Sequence, residues 1–344
     1  MARPSVTVRV EAFSAGGHMK VLLTGATGFV GSHILDSLRA RRIDTAVLLR
    51  STSNRRFIEA HLPALAVCAG SISDPQSLDA AVREVTHVIH CAGCVKALRL
   101  AEFNEVNHLG TRHVVEAINR RPGRIQRLVH ISSLAAGGPA TPDQPAREDD
   151  PSNPVSEYGR SKFAAEQEVR RCKSDYVILR PPAVYGPRDD AFLPLFKAVK
   201  AHIRPRMGSR SFALSLVFVR DLAEAVVGCL TPSAAVGKTF YVASPDITNA
   251  HAMADEVAAQ MKVWTLKLPL PRAALWPVCQ LQEVISRVTG RPSVLSRQKY
   301  AELSAPGWVC DPARLRQEVG IDCATGLRAG IAETLTWYRQ HGWL

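Results

Sequence analysis

A doubly wound, parallel α/β sheet is the fold this chain predicts, and three observations predict it. Short, branched apolar runs alternate with helical patterns through the first half of the sequence. The first run leads directly into a turn with three evenly spaced glycines. The 344 residues are 46% hydrophobic and 22% charged, an ordinary globular composition with enough chain for a large core.

Val21-Leu22-Leu23 reads as the first strand, short and apolar enough to be buried on both faces. Residues 29–41 follow with helical spacing, placing Val30, Ile34, Leu35 and Leu38 on one side. Ala46-Val47-Leu48-Leu49, Leu65-Ala66-Val67 and His87-Val88-Ile89-His90 supply the second, third and fourth strands. A long helix is expected over residues 103–119, a fifth strand at Arg127-Leu128-Val129-His130-Ile131, and a helix starting near Ser156. Tyr176-Val177-Ile178-Leu179 is the sixth strand. After Pro181-Pro182 helical patterns dominate, at residues 222–230, 250–261 and 326–339, with short strands near 214–219 and 239–242. Pro269, Pro271 and Pro277 interrupt an apolar, Trp-containing stretch expected to lie over a cleft. The expected organisation is a loose extension at 1–18, a sheet domain at 19–181 and a smaller mixed α/β domain at 182–344, partly interleaved with the sheet.

Lys and Arg total 43 against 31 Asp and Glu, a net charge of +12. Such a field attracts anions, from dinucleotide phosphates to acidic lipid. The excess is spread along the chain without a dense basic run, so nothing beyond net charge supports nucleic-acid binding. Of eight scattered cysteines only Cys91 and Cys94 are spaced C-x-x-C, and one such pair lacks the second that a structural zinc site needs. No metal is expected, and the thiols read as reduced ones in a cytoplasmic protein. Residues 1–18 hold Arg3 and Arg9 but no apolar signal core, and no run approaches the ~20 residues of a membrane span. Peripheral contact with a membrane is left open.

Thr24-Gly25-Ala26-Thr27-Gly28-Phe29-Val30-Gly31 carries the chemistry of the first turn. Gly25 permits a tight turn, Gly28 lets backbone approach a pyrophosphate, and Gly31 lets helix pack on strand. The helix start then offers unpaired N–H groups to phosphate. In this strand–turn–helix setting the pattern reads as a dinucleotide site on a Rossmann-type sheet. At the end of the second strand, an acidic residue would bind the ribose hydroxyl of NAD(H). Arg50 stands there instead, with Arg55 and Arg56 close behind, and a guanidinium suits the 2′-phosphate of NADP(H). The pattern therefore favours NADP(H) over NAD(H), which it still admits.

Tyr158-Gly159-Arg160-Ser161-Lys162 places a phenol and an ammonium on one helix face, and Ser132-Ser133 ends the fifth strand. A tyrosine ionises near ~10, and positive neighbours favour its phenolate, making it usable as an acid/base.

With the glycine turn, the Ser133 position, Tyr158 and Lys162 in place, the chain resembles the extended short-chain dehydrogenase/reductase superfamily, also called the NAD-dependent epimerase/dehydratase family. The likeness spans roughly residues 19–344. Val106-Asn107-His108-Leu109-Gly110-Thr111, Arg180-Pro181-Pro182-Ala183-Val184-Tyr185-Gly186-Pro187, Val217-Phe218-Val219-Arg220-Asp221, Trp308-Val309-Cys310-Asp311 and Trp337-Tyr338 add to it. The resemblance implies that Tyr158 exchanges a proton with the substrate oxygen. It implies that Lys162 holds the nicotinamide ribose and that Ser133, rather than Ser132, hydrogen-bonds the same substrate oxygen. It further implies a cofactor lining from Gly25, Thr27, Gly28, Phe29, Val30, Gly31, Arg50, Ser71, Ile72, Ala92, Gly93, Asn107, Pro182 and Val184, and a homodimer. One departure falls at Gly70, which is followed by Ser71 where the family often has Asp, putting the adenine contact in doubt.

Within this superfamily the chain looks most like the 3β-hydroxysteroid dehydrogenases, including those that decarboxylate 4α-carboxysterols. Cys91-Ala92-Gly93-Cys94-Val95-Lys96 through Phe103 is apolar and basic, and residues 264–288 are rich in Leu, Pro and Trp. The expected reaction interconverts a secondary alcohol and a ketone on an apolar, sterol-like small molecule, with loss of a 4α-carboxylate as an added step. Two alternatives stand beside it. A nucleotide-sugar epimerase or 4-keto reductase would need a diphosphate pocket, which Arg188, Arg204, Arg206 and Arg210 can supply. A catalytically silent dinucleotide-binding assembly protein is disfavoured by an intact Ser133, Tyr158 and Lys162.

Overall fold

Alternating branched residues build the sheet outward from its middle. The structure, a computed structural model, describes residues 18–207, 213–270, 276–277, 279–280 and 297–344; the expected N-terminal extension thus lies almost wholly outside the described residues, as do Arg210, Pro271 and most of 264–288. The strands are β1 (Lys20–Thr24), β2 (Asp44–Leu49), β3 (Ala66–Ala69), β4 (His87–His90), β5 (Arg127–Ile131), β6 (Asp175–Arg180), β7 (Ala183–Tyr185), β8 (Ile203–Met207), β9 (Ala213–Phe218), β10 (Lys238–Tyr241), β11 (Ile247–Asn249), β12 (Leu266–Leu270) and β13 (Gly307–Trp308). Seven of them form one parallel sheet in the order β10-β6-β5-β4-β1-β2-β3.

Side chains alternate along these strands, so each strand feeds two cores. Val21, Leu23, Val47, Ile89 and Val129 pack under the helices Phe29–Ala40 and Val219–Gly228. Leu22, Val88, Leu128 and Ile178 pack under Gly110–Asn119 and Glu157–Val169. The strand order reverses between β1 and β4, and the crevice at their carboxyl ends is where such sheets bind ligands.

Two expectations need correction. β3 is the sheet's edge, and Val67 is 48% exposed, so it is not buried on both faces as its branched sequence suggested. Residues 103–119 do not form one regular helix. A turn at Leu100–Phe103 passes into a π-helical stretch, Asn104–Leu109, before the α-helix Gly110–Asn119. The π stretch holds the buried Asn107, and Gly110 after it lies so close to Ile72 that an added Cβ would fall 2.7 Å from its Cδ1.

The second half adds a sheet in which β9 pairs with β7, β11 and β13, and a two-stranded ribbon of β8 and β12. Helices Leu193–Lys200, Ala250–Met261 and Leu327–Gln340 enclose a separate apolar cluster around Phe196, Met253, Val257 and Tyr338. The chain also returns to the large sheet, since β10 pairs with β6 and carries Tyr241 against Arg180. Among the described residues, no helix is long and apolar enough to cross a membrane.

Candidate active site

The glycine turn closes as tightly as its sequence implies. Gly25 adopts φ +76°, and a Cβ on Gly31 would fall 2.0 Å from the Gly25 carbonyl oxygen. Gly28 differs: its Cβ would meet only the Gly25 oxygen, at an ordinary 3.4 Å. Packing within the protein therefore does not demand glycine there, and the exposed space in front of it is what a ligand's phosphates would fill. Helix Phe29–Ala40 starts at Gly28 with no side-chain cap and no acidic residue in its first turn, which leaves its N–H groups and partial positive charge for an anion. The residues present thus fit a dinucleotide.

Polar residues inside apolar strands brace this crevice, a signal that pattern reading passed over. Thr24 Oγ1 lies 2.8 Å from His90 Nδ1, and His90 Nε2 lies 3.0 Å from Thr111 Oγ1. Thr111 Oγ1 donates to the Asn107 carbonyl at 2.6 Å, and the Ala92 N–H donates to Thr24 Oγ1 at 3.2 Å. Those donors make His90 a neutral imidazole with its proton on Nε2 and Thr24 as its donor on Nδ1. Burial, with Lys162 nearby, pushes the His90 pKa down to about 3 and keeps that arrangement uncharged. Asn107 in turn accepts from Cys94 N–H at 2.7 Å and donates to the Cys94 carbonyl and to Ser161 Oγ. This fixes the loop carrying Ala92, Gly93 and Cys94 beside the catalytic-set helix.

Glu157–Val169 presents Tyr158 and Lys162 to the crevice. Ser156 caps its start, accepting from Gly159 N–H at 3.0 Å, and donates to Glu302 at 2.7 Å. Farther along, Glu166 is wholly buried and receives Arg180 Nε at 2.8 Å, Arg180 Nη2 at 2.7 Å and Ser132 Oγ at 2.6 Å. Ser132 is thereby committed to the core, while Ser133, pointing the opposite way, hydrogen-bonds Tyr158 and caps the turn Leu134–Gly137. Alternation along the strand separates the two serines as expected.

Lys162 is 6% exposed and donates to the Ile131 carbonyl at 2.6 Å. Burial lowers its pKa from 10.5 to about 8. A Cβ on Gly93 would stand an ordinary 3.8 Å from the Lys162 Nζ but a tight 3.2 Å from Asn107 Oδ1. The Tyr158 phenol goes the other way. Loss of solvent pushes it up to about 12, the Ser133 hydrogen bond opposes this, and the Glu302 carboxylate adds to it. In the chain by itself the phenol therefore holds its proton firmly, and the positive neighbour that would favour the phenolate has to arrive with the cofactor.

The remaining expected positions follow the carboxyl ends of β2, β3 and β6. Pro182 is buried and Val184 partly so, on the turn and strand after β6. Ser71 follows β3 and accepts from Ser73 N–H, while Ile72 is buried with its carbonyl facing His113 Nδ1. Arg50 is exposed at the end of β2. Arg56 lies over the Phe57 and Trp343 rings at 4.3 and 5.3 Å. Of the described arginines considered for a sugar diphosphate, Arg188 pairs with Asp36, and Arg204 and Arg206 both pair with Asp255.

A Rossmann-type sheet, a phosphate turn at its switch point and a tyrosine and lysine on one adjoining helix define a dinucleotide-dependent enzyme. More narrowly, the chain belongs to the NAD dependent epimerase/dehydratase family, whose pattern matches residues 21–243, and it is an NAD-dependent oxidoreductase. It is similar to the ceramide reductase of Caulobacter vibrioides, 31% identical over 94% of this chain and 96% of that one. It is also similar to sterol demethylase protein B of Methylococcus capsulatus, 28% identical over 94% of this chain and 99% of that one. Its fold matches the structure of the Thermus thermophilus UDP-glucose 4-epimerase in complex with NAD, with a TM-score of 0.73 and 24% identity, over 93% of this chain and 99% of that one.

Proposed function

We propose that this enzyme interconverts a ketone and a secondary alcohol on an uncharged, apolar lipid or sterol-like substrate, with Tyr158 as the proton-transfer residue. One observation carries the choice of substrate. Phe103 packs edge-on against Tyr158 with ring centroids 6.0 Å apart, and the same segment exposes Val95, Leu98 and Leu100. The rim beside the proposed reacting group thus offers apolar side chains alongside Lys96 and Arg99, which are ion-paired to Asp190 and Glu102, and Arg188, Arg204 and Arg206 are engaged elsewhere. The similarity to a ceramide reductase and to a sterol demethylase protein supports the same reading.

The bound nicotinamide supplies a hydride donor or acceptor. Tyr158 gives its proton to the oxygen of the ketone, and Ser133 holds that oxygen by a second hydrogen bond. Lys162, steadied by the Ile131 carbonyl, is placed to take the cofactor ribose, and the positive charge that favours the phenolate would come with the oxidised nicotinamide. A phenol that keeps its proton strongly suits the reductive direction. Arg50, exposed at the end of β2, is proposed to bind the 2′-phosphate of NADP(H). Arg50→Gln should then raise KM for NADP+ about tenfold and leave KM for NAD+ nearly unchanged, roughly what one charge-assisted hydrogen bond contributes.

The deciding experiment is turnover with NADPH and NADH of a 3-oxo-ceramide, a 3-ketosteroid and a UDP-4-ketosugar, alongside oxidation of a 4α-carboxy-3β-hydroxysterol. Consumption of reduced cofactor with an apolar ketone, lowered about 10²–10⁴-fold by Tyr158→Phe, is the expected result. Turnover of the sugar nucleotide alone would refute the apolar reading and place the enzyme with the epimerases.

A further inference from the structure

The ribbon of β8 and β12 is built inside out. Register pairs Ile203 with Leu266 and Pro205 with Leu268, so these four share one face, and Arg204 and Arg206 share the other. The arginine face is the inward one: Arg204 Nη1 donates to Asp255 at 2.6 Å and Arg206 Nη2 at 3.1 Å, both onto helix Ala250–Met261. The apolar face looks outward, with Leu266 67%, Leu268 44% and Ile203 43% exposed. Trp264, just before β12, is 74% exposed and stacks on His202, ring centroids 4.3 Å apart. A ribbon in water should show the reverse alternation, and an apolar cluster of this kind marks a contact surface.

Charge identifies the contact. Arg204 and Arg206 are engaged by Asp255, which leaves Lys197, Lys200, Lys262 and Lys267 as the excess positive charge on the ribbon and its flanks. Lys200 and Lys262, on the chain leading into the two strands, are exposed, and Lys267, opposite Arg204 in the register, is exposed at the ribbon's other face. A second copy of this chain meeting it across a two-fold axis would set these cations against one another. An anionic lipid surface instead satisfies both features: headgroups pair with the lysines while Leu266, Leu268 and Trp264 enter the interface, a tryptophan's preferred depth.

We infer that the outward face of the β8–β12 ribbon, with Trp264, docks this enzyme onto negatively charged membranes. The inference stands apart from the choice of substrate, because docking is read without turnover. The test is co-sedimentation of the full chain with phosphatidylcholine vesicles, with and without phosphatidylglycerol. Binding to the anionic vesicles that falls steeply with added salt is expected. The pair Trp264→Ser and Leu266→Ser should weaken it about tenfold or more, and Lys200→Gln with Lys262→Gln should weaken it by a similar factor and erase the preference for phosphatidylglycerol. All four positions are exposed, and an unchanged circular dichroism melt will show that the variants fold. Absence of wild-type binding, equal binding by the Trp264 and Leu266 variant, or a concentration-dependent dimer that this variant abolishes would each overturn the inference.

Discussion

Lys162→Met should stabilise the protein while removing the ammonium that the proposed chemistry needs. The side chain is 6% exposed, and burial brings its pKa from 10.5 down to about 8. At pH 7 both the folded and the unfolded chain hold the proton, so folding bears nearly the whole difference, about 3 kcal/mol. Methionine fills similar space without charge but gives up the 2.6 Å bond to the Ile131 carbonyl, worth about 1.5–3 kcal/mol for a charged donor. The net expectation is a gain of about 1 kcal/mol at pH 7. The pH dependence is the sharper signature. Because the folded pKa lies below the unfolded one, the unfolded chain binds more protons between pH 8 and 10.5. Wild-type stability therefore rises with pH toward and through that window, through a term the variant lacks. The wild type should gain about 2 kcal/mol on the variant between pH 7 and pH 10. Urea unfolding of both proteins at the two pH values measures this directly. A stability difference that is the same at both would refute the buried-ammonium account.

Glu166→Gln leaves the Arg180 guanidinium buried without its counter-charge, and the melt should reveal a loss of about 3–5 kcal/mol. Gly31→Ala forces a Cβ to within 2.0 Å of the Gly25 oxygen; the turn must open, and calorimetric titration should show dinucleotide affinity falling at least about tenfold.

Much of the sheet was legible because strands buried on both faces leave little choice of residue. The expected bounds at His87–His90 and Arg127–Ile131 match the observed ones. Val67 misled for a related reason: branched composition reports strand propensity, while its position at the edge is a property of topology. The π turn at Asn104–Leu109 was illegible because periodicity over six residues cannot separate it from α-helix. In the site, glycine spacing and the Tyr158–Lys162 pair were visible because both are local. The Thr24, His90 and Thr111 bonds were not, since they join residues up to 66 positions apart. Their one trace was a threonine and a histidine inside otherwise apolar strands. Glu302 reaches the crevice from the far end of the chain, and no local pattern connects it to Ser156 or Tyr158.

The late arrival of β10 has a consequence for synthesis. β6 ends at Arg180, but its outer neighbour begins only at Lys238. While the chain emerges from the ribosome, six strands can assemble with β6 as a raw edge, its amides open to any other nascent strand. Arg180 meanwhile lacks the Tyr241 hydroxyl that its Nη1 meets at 3.2 Å in the finished fold. Ribosome pausing between these two strands should therefore lengthen the interval of greatest aggregation risk, whereas slow synthesis beyond residue 241 should matter far less to the yield of folded enzyme.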